Sequence, residues 1–183
     1  MTSILISSVY VLSYCIVLGV CLAACWTDFK SFRIPNKLCL IALIASVCGI
    51  GAAFAYGAAA GHDLPIISHL ISGVVVFVVT AVLFVSRLFG AGDAKLLSIL
   101  AFWIPIKFLS VFLFMMSLIG GGIAIATLIM RRWKPFSAPL PGSWIDTAQK
   151  GEGRVPYGLA IGAGFIIATL FWGMWDPLRF INL

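Results

Sequence analysis

The sequence predicts an all-α protein, a polytopic membrane bundle of about six transmembrane helices. Three observations lead there. Of 183 residues, 62% are hydrophobic and 10% are charged, against about 45–50% and about 25% in an ordinary soluble domain. Apolar runs long enough to cross a bilayer recur along the chain. Basic residues are confined mainly to alternate connections between those runs. A water-soluble fold of this size has nowhere to bury so much apolar surface, so lipid is expected to be the solvent for most of it.

The first run, residues 4–26, has no charge. As a helix it would measure about 34 Å at about 1.5 Å per residue, enough for a hydrocarbon core of about 30 Å. No basic residue precedes it and it is longer than a signal-peptide core, so it reads as a retained span. Residues 38–60 and 64–86 repeat the pattern. Residues 88–106 form a weaker run, interrupted by Asp93 and Lys95. Residues 108–130 and 155–175 supply the last two spans. The chain 1–183 thus reads as a single membrane-embedded domain, with 131–154 as its one long polar loop. Pro135, Pro139, Pro141 and Gly142 argue against a continuous helix there. Trp133 and Trp144 suit the headgroup region. Small residues recur within the runs, among them Gly49, Gly51, Gly120, Gly121, Gly122, Gly162 and Gly164, and read as points of close helix approach.

The formal charge of +6 does not point to nucleic acid, because its distribution follows the spans. Lys30, Arg33, Lys37, Arg87, Lys95, Arg131, Arg132, Lys134, Lys150 and Arg154 fall on one side, Lys107 and Arg179 on the other. The basic side is expected to be cytoplasmic, which places both termini outside. Cys15, Cys21, Cys25, Cys39 and Cys48 form no C-x-x-C pair, so they read as buried inert thiols rather than a metal or disulfide framework. His62 and His69 read as interfacial polar residues of the outer face. No H-E-x-x-H or G-x-S-x-G occurs, which leaves zinc and serine proteolysis without their motifs. No metal or other cofactor is indicated.

Six acids remain. Asp63 and Asp176 lie on the less basic side. Asp146 and Glu152 lie in the polar loop, where solvation is the default. Asp28 and Asp93 sit where apolar spans meet polar turns. Two spans separate them, and an even number of crossings returns the chain to the same side. Asp93 lies about 8 Å into its run by helical rise, so the two acids are expected to meet just inside the basic surface. Acids at such depth are costly unless they face the bundle interior or a wet cavity. The plainer alternative pairs each with a local lysine, Lys30 or Lys95. Gly90, Ala91, Gly92 and Ala94 leave the chain around Asp93 almost without side-chain bulk, which suits close packing or entry of an extended peptide. Two carboxyls sharing one proton can hydrolyse a peptide bond: the ionised one activates water, and the neutral one polarises the carbonyl. By the dipoles of their own helices, Asp28 at a helix end is expected to hold the proton more often than Asp93 near a helix start.

Three segments then stand out together. Residues 28–36, DFKSFRIPN, resemble the first-aspartate motif of type IV prepilin peptidases. Residues 90–97, GAGDAKLL, resemble the family's G-x-G-D motif, and residues 155–162, VPYGLAIG, a third element leading into the last span. Leu159 stands where proline is common. The chain looks most similar to the short members that serve tight-adherence (Flp-type) pili. The resemblance implies an intramembrane aspartyl endopeptidase of the bacterial inner membrane that removes the leader of prepilins or pilin-like proteins at the cytoplasmic face. It implies Asp28 and Asp93 as the catalytic pair, Gly90, Gly92 and Lys95 in support, and Pro156, Tyr157 and Gly158 beside a substrate groove, with helix packing an equal reading for Tyr157 and Gly158. Lys95 is equally suited to lipid phosphate. Larger relatives carry an extra cytoplasmic segment with paired cysteines linked to N-methylation. Only residues 29–37 stand at that place here, so methyltransferase activity is not expected. Arg33, Pro35 and Asn36 read as turn residues, Asn36 as a helix N-cap. An ion-coupled transporter would place its acids deeper and break its helices there. A non-catalytic pilus-assembly subunit would tolerate loss of both aspartates. The partners expected are the prepilin and membrane lipid, with no nucleic acid. Substrate identity and oligomeric state have no sequence signal.

Overall fold

A computed structural model describes residues 2–61 and 66–182. His62 and Asp63 lie outside the described residues. Among those described, all regular structure is helical: α1 (Thr2–Ser31), α2 (Asn36–Ala60), α3 (Ile66–Val85), α4 (Ala91–Ala101), α5 (Ile106–Trp133), α6 (Trp144–Gln149), α7 (Tyr157–Phe171) and α8 (Pro177–Asn182). Four helices are long and apolar enough to cross a membrane, over Ile4–Ser31, Asn36–Ala59, Ile66–Val85 and Ile106–Trp133, and α7 is a shorter apolar helix. Their outward faces carry exposed Val47, Phe77, Val78, Leu118, Ile125 and Leu128. An apolar belt of this extent is stable only against lipid.

The 88–106 run differs most from expectation. Its helix, α4, has 11 residues, about 16 Å of rise. The rest is a turn through Phe102, Trp103 and Ile104 to Pro105, the N-cap of α5. Trp103 and Ile104 are fully buried. Hydropathy therefore stays high through residues that are not helical, and an apolar window cannot register where the helix stops.

The helix α1 packs on α2 and α7, α4 lies against α2, α3 and α7, and α5 joins through α7. Buried Tyr10, Tyr14, Trp103 and Phe180 form an aromatic cluster near the termini. Each polar tip finds a partner, as it must in a dry interior. Tyr10 donates to the Met174 carbonyl, Tyr14 to Thr169 Oγ1 at 2.9 Å and Trp103 Nε1 to Ser46 Oγ at 2.7 Å. Small residues let α7 approach closely: a Cβ on Gly162 would lie 2.9 Å from the Cys21 carbonyl of α1, and one on Gly164 3.1 Å from Met116 Cα of α5. Gly51, Gly121 and Gly122 face open space instead.

Three further expectations are corrected. His69 is 1% exposed rather than interfacial, with Nδ1 3.0 Å from the Phe102 carbonyl and its ring 4.9 Å from that of Phe180. Cys15 and Cys48 are exposed on outward helix faces, so not all thiols are buried. Asp146 is buried rather than solvated. It lies in the first turn of α6, which Ser143 caps, and accepts from Gly142 N at 2.8 Å and Lys150 Nζ at 2.7 Å. Trp144 of the same helix donates to Thr127 of α5 at 2.8 Å and meets Phe29 of α1 edge-on. The polar loop is thereby tied to the bundle.

Hydrogen bonding to Lys150, then to Gly142, holds the Asp146 carboxyl below its ordinary value of 3.8. A group shifted downward stabilises the fold above its ordinary value, and that contribution is lost as pH falls through the lowered one. Acrylamide quenching of tryptophan is therefore expected to rise at a pH below 3.8. Asp146→Asn should show raised quenching already near neutral pH and lack the acid step.

Candidate active site

The chain leaves α1 through a strained turn. Phe32 adopts φ 52°, a left-handed conformation costly for a bulky residue, and its N–H reaches back to the Asp28 carbonyl at 2.9 Å. Pro35, with φ −61°, then caps α2. Asp28 thus sits in the last turn of α1 and is 4% exposed. Its Oδ2 accepts a 2.7 Å hydrogen bond from Gly158 N in the first turn of α7. On the opposite wall, Gly90 caps α4 with extended backbone, and Asp93 lies in the first turn. Asp93 Oδ1 is buried and has no hydrogen-bond partner among the described residues.

Both aspartates line one cavity of about 420 Å³, together with Phe32, Arg33, Ile34, Pro35, Asn36, Gly90, Ala91 and Gly92. The convergence expected from counting crossings is therefore present. The local ion pairs are not: neither Lys30 nor Lys95 bridges to Asp28 or Asp93 among the described residues. Lys95 Nζ instead donates to Asn36 Oδ1 at 3.0 Å, linking α4 to the start of α2. This also corrects the reading of Asn36, which makes no side-chain cap; Pro35 holds the cap position.

The glycines around the acids have a steric cause. A Cβ on Gly90 would fall 2.5 Å from Asp93 Oδ2, and one on Gly158 3.0 Å from Asp28 Oδ2. Any side chain at either place would displace a carboxyl. Of the third sequence element, Gly158 holds Asp28 through its backbone N–H. Pro156 is buried at the cap of α7. Tyr157 lies tilted against Phe89, ring centroids 5.8 Å apart, and lines a neighbouring groove of about 330 Å³ with Met116, Gly120 and Ala160. Phe32 and Ile34 were not singled out from sequence. An apolar residue in a four-residue turn carries no periodic signal.

Helices with lipid-facing apolar sides, and two carboxyls gathered at one end between them, define a polytopic membrane protein with a paired-acid cavity. The chain belongs to the type IV leader peptidase family, whose model matches residues 15–125, a stretch that includes both aspartates. It is a peptidase of that general kind. The 155–162 element lies beyond the matched segment. No curated protein and no solved structure matches the chain.

Proposed function

We propose that this protein is an aspartyl endopeptidase that removes the leader from prepilins or pilin-like proteins at the cytoplasmic face of the bacterial inner membrane. The observation that carries the reading is the lining of one cavity by Asp28 and Asp93. Their end of the bundle also receives α6 and the basic 131–154 segment, since Trp144 meets Phe29 of α1. Positive residues favour the cytoplasmic side, so cleavage would occur there and both termini would lie outside.

In this reading the scissile peptide enters between the α1–α2 turn and the start of α4. One carboxylate takes a proton from water as it attacks the carbonyl carbon. The other, neutral, donates to the carbonyl oxygen, and a proton then reaches the leaving amine. Contacts across the bundle assign the roles differently from each acid's own helix. Asp28 accepts the Gly158 N–H, and a hydrogen bond to a charged group contributes about 1.5–3 kcal/mol. A helix dipole contributes about 0.3–1 kcal/mol, so the direct bond wins and Asp28 is the anion. Asp93, with a buried oxygen lacking a donor, holds the shared proton. Infrared spectra of the carboxyl region should lose the neutral-acid band in Asp93→Asn; persistence of that band would reverse the assignment. The pair is expected to titrate as one unit.

The function itself is tested by co-expression with candidate prepilins. Mass spectrometry should show pilins shortened by their leader only when the peptidase is present. Unprocessed prepilins throughout, with the peptidase folded in the membrane, would remove the proposal.

A further inference from the structure

Ile34 occupies the turn of residues 32–35 and packs half-buried against the core. It touches the starts of two helices. A Cβ on Gly92, the residue before Asp93, would lie 3.1 Å from Ile34 Cβ and 3.3 Å from its carbonyl oxygen. A Cβ on Gly158, whose N–H holds Asp28, would lie 2.7 Å from Ile34 Cδ1. The same side chain lines the cavity between the acids. The left-handed turn at Phe32 brings it there.

We propose that Ile34 is a positioning residue, a spacer whose width sets how far the first turns of α4 and α7 stand apart and so aligns the two carboxyls. This rests on the aspartyl-peptidase reading. Ile34 offers no proton and no hydrogen bond. Its β-branched side chain is stiff at χ1, so it transmits distance rather than chemistry. Truncation would leave a gap against both helix starts, which then relax independently.

The test uses the purified full-length chain and a prepilin substrate, with rates normalised to monodisperse folded protein. Ile34→Ala is expected to lower kcat by about 30- to 100-fold with KM within about threefold, since misplacement of about 1 Å costs about 10²-fold. Ile34→Val, which loses only Cδ1, should recover activity to within about fivefold of wild type. Gly158→Ala should lose about tenfold less in the Ile34→Val background than alone, because the 2.7 Å clash with Cδ1 is gone. A general folding defect would not yield that rescue. An active wild type with Ile34→Ala within threefold of it, or additive losses in the double variant, overturns the spacer alone. A folded wild type that cleaves no prepilin overturns the peptidase reading and the spacer with it.

Discussion

Asp28→Asn and Asp93→Asn are each expected to lower leader cleavage by at least about 10³-fold, or about 4 kcal/mol of transition-state stabilisation. The two substitutions fail for different reasons. Asp28→Asn keeps an oxygen that can accept the Gly158 N–H, so the α1–α7 contact survives. In the proposed mechanism it removes the base that takes the water proton. Asp93→Asn keeps the volume beside Gly90 but cannot pass a proton to the carbonyl oxygen. Each change is isosteric and leaves no large cavity, so both variants should remain folded in the membrane. The double variant should be scarcely worse than either single one, because groups acting as a unit are not additive. Single-turnover rates on a purified prepilin would measure this. Cleavage within tenfold of wild type by either variant would contradict the two-acid mechanism.

The second large effect is expected at a residue with no side chain. Gly158→Ala should reduce kcat by about 10²-fold, or about 2.7 kcal/mol. The added Cβ would lie 3.0 Å from Asp28 Oδ2, 3.1 Å from its Cγ and 2.7 Å from Ile34 Cδ1. The clash with Ile34 Cδ1 accounts for part of that loss. Asp28 is buried among neighbours and must shift its carboxyl, stretching the 2.7 Å bond that holds it. Thermal unfolding of this variant should move much less than its kcat. Gly121→Ala is the control, since a Cβ there meets nothing within 4 Å. Equal activities of the two alanine variants would show that close packing at Asp28 is not needed for the reaction.

How much was legible beforehand varies by residue. The exposed stripes around Phe77 and Leu118 follow directly from hydropathy. So does the placing of Asp28 and Asp93 on one side, because counting crossings needs no coordinates. The burial of Asp146 is not legible in sequence because its partners, Gly142 and Lys150, are ordinary loop residues until α6 folds. The burial of His69 is equally hidden, because it comes from contacts with Phe102 and Phe180, both distant in sequence. The length of α4 was hidden by an apolar turn. The proposed proton placement differs from the one that each acid's own helix dipole suggests because the donor to Asp28 belongs to α7.

Composition and charge spacing alone settle the solvent, the helical class and the shared side of the two acids, since these depend on summed apolar length and on parity. Only the packed bundle decides that Gly158 grips Asp28, that Lys95 turns to Asn36 and that Ile34 fills the space between two helix starts. Those contacts join residues up to 130 positions apart. Their distances arise from side-chain volumes meeting across helices, a quantity that no local pattern in the chain encodes.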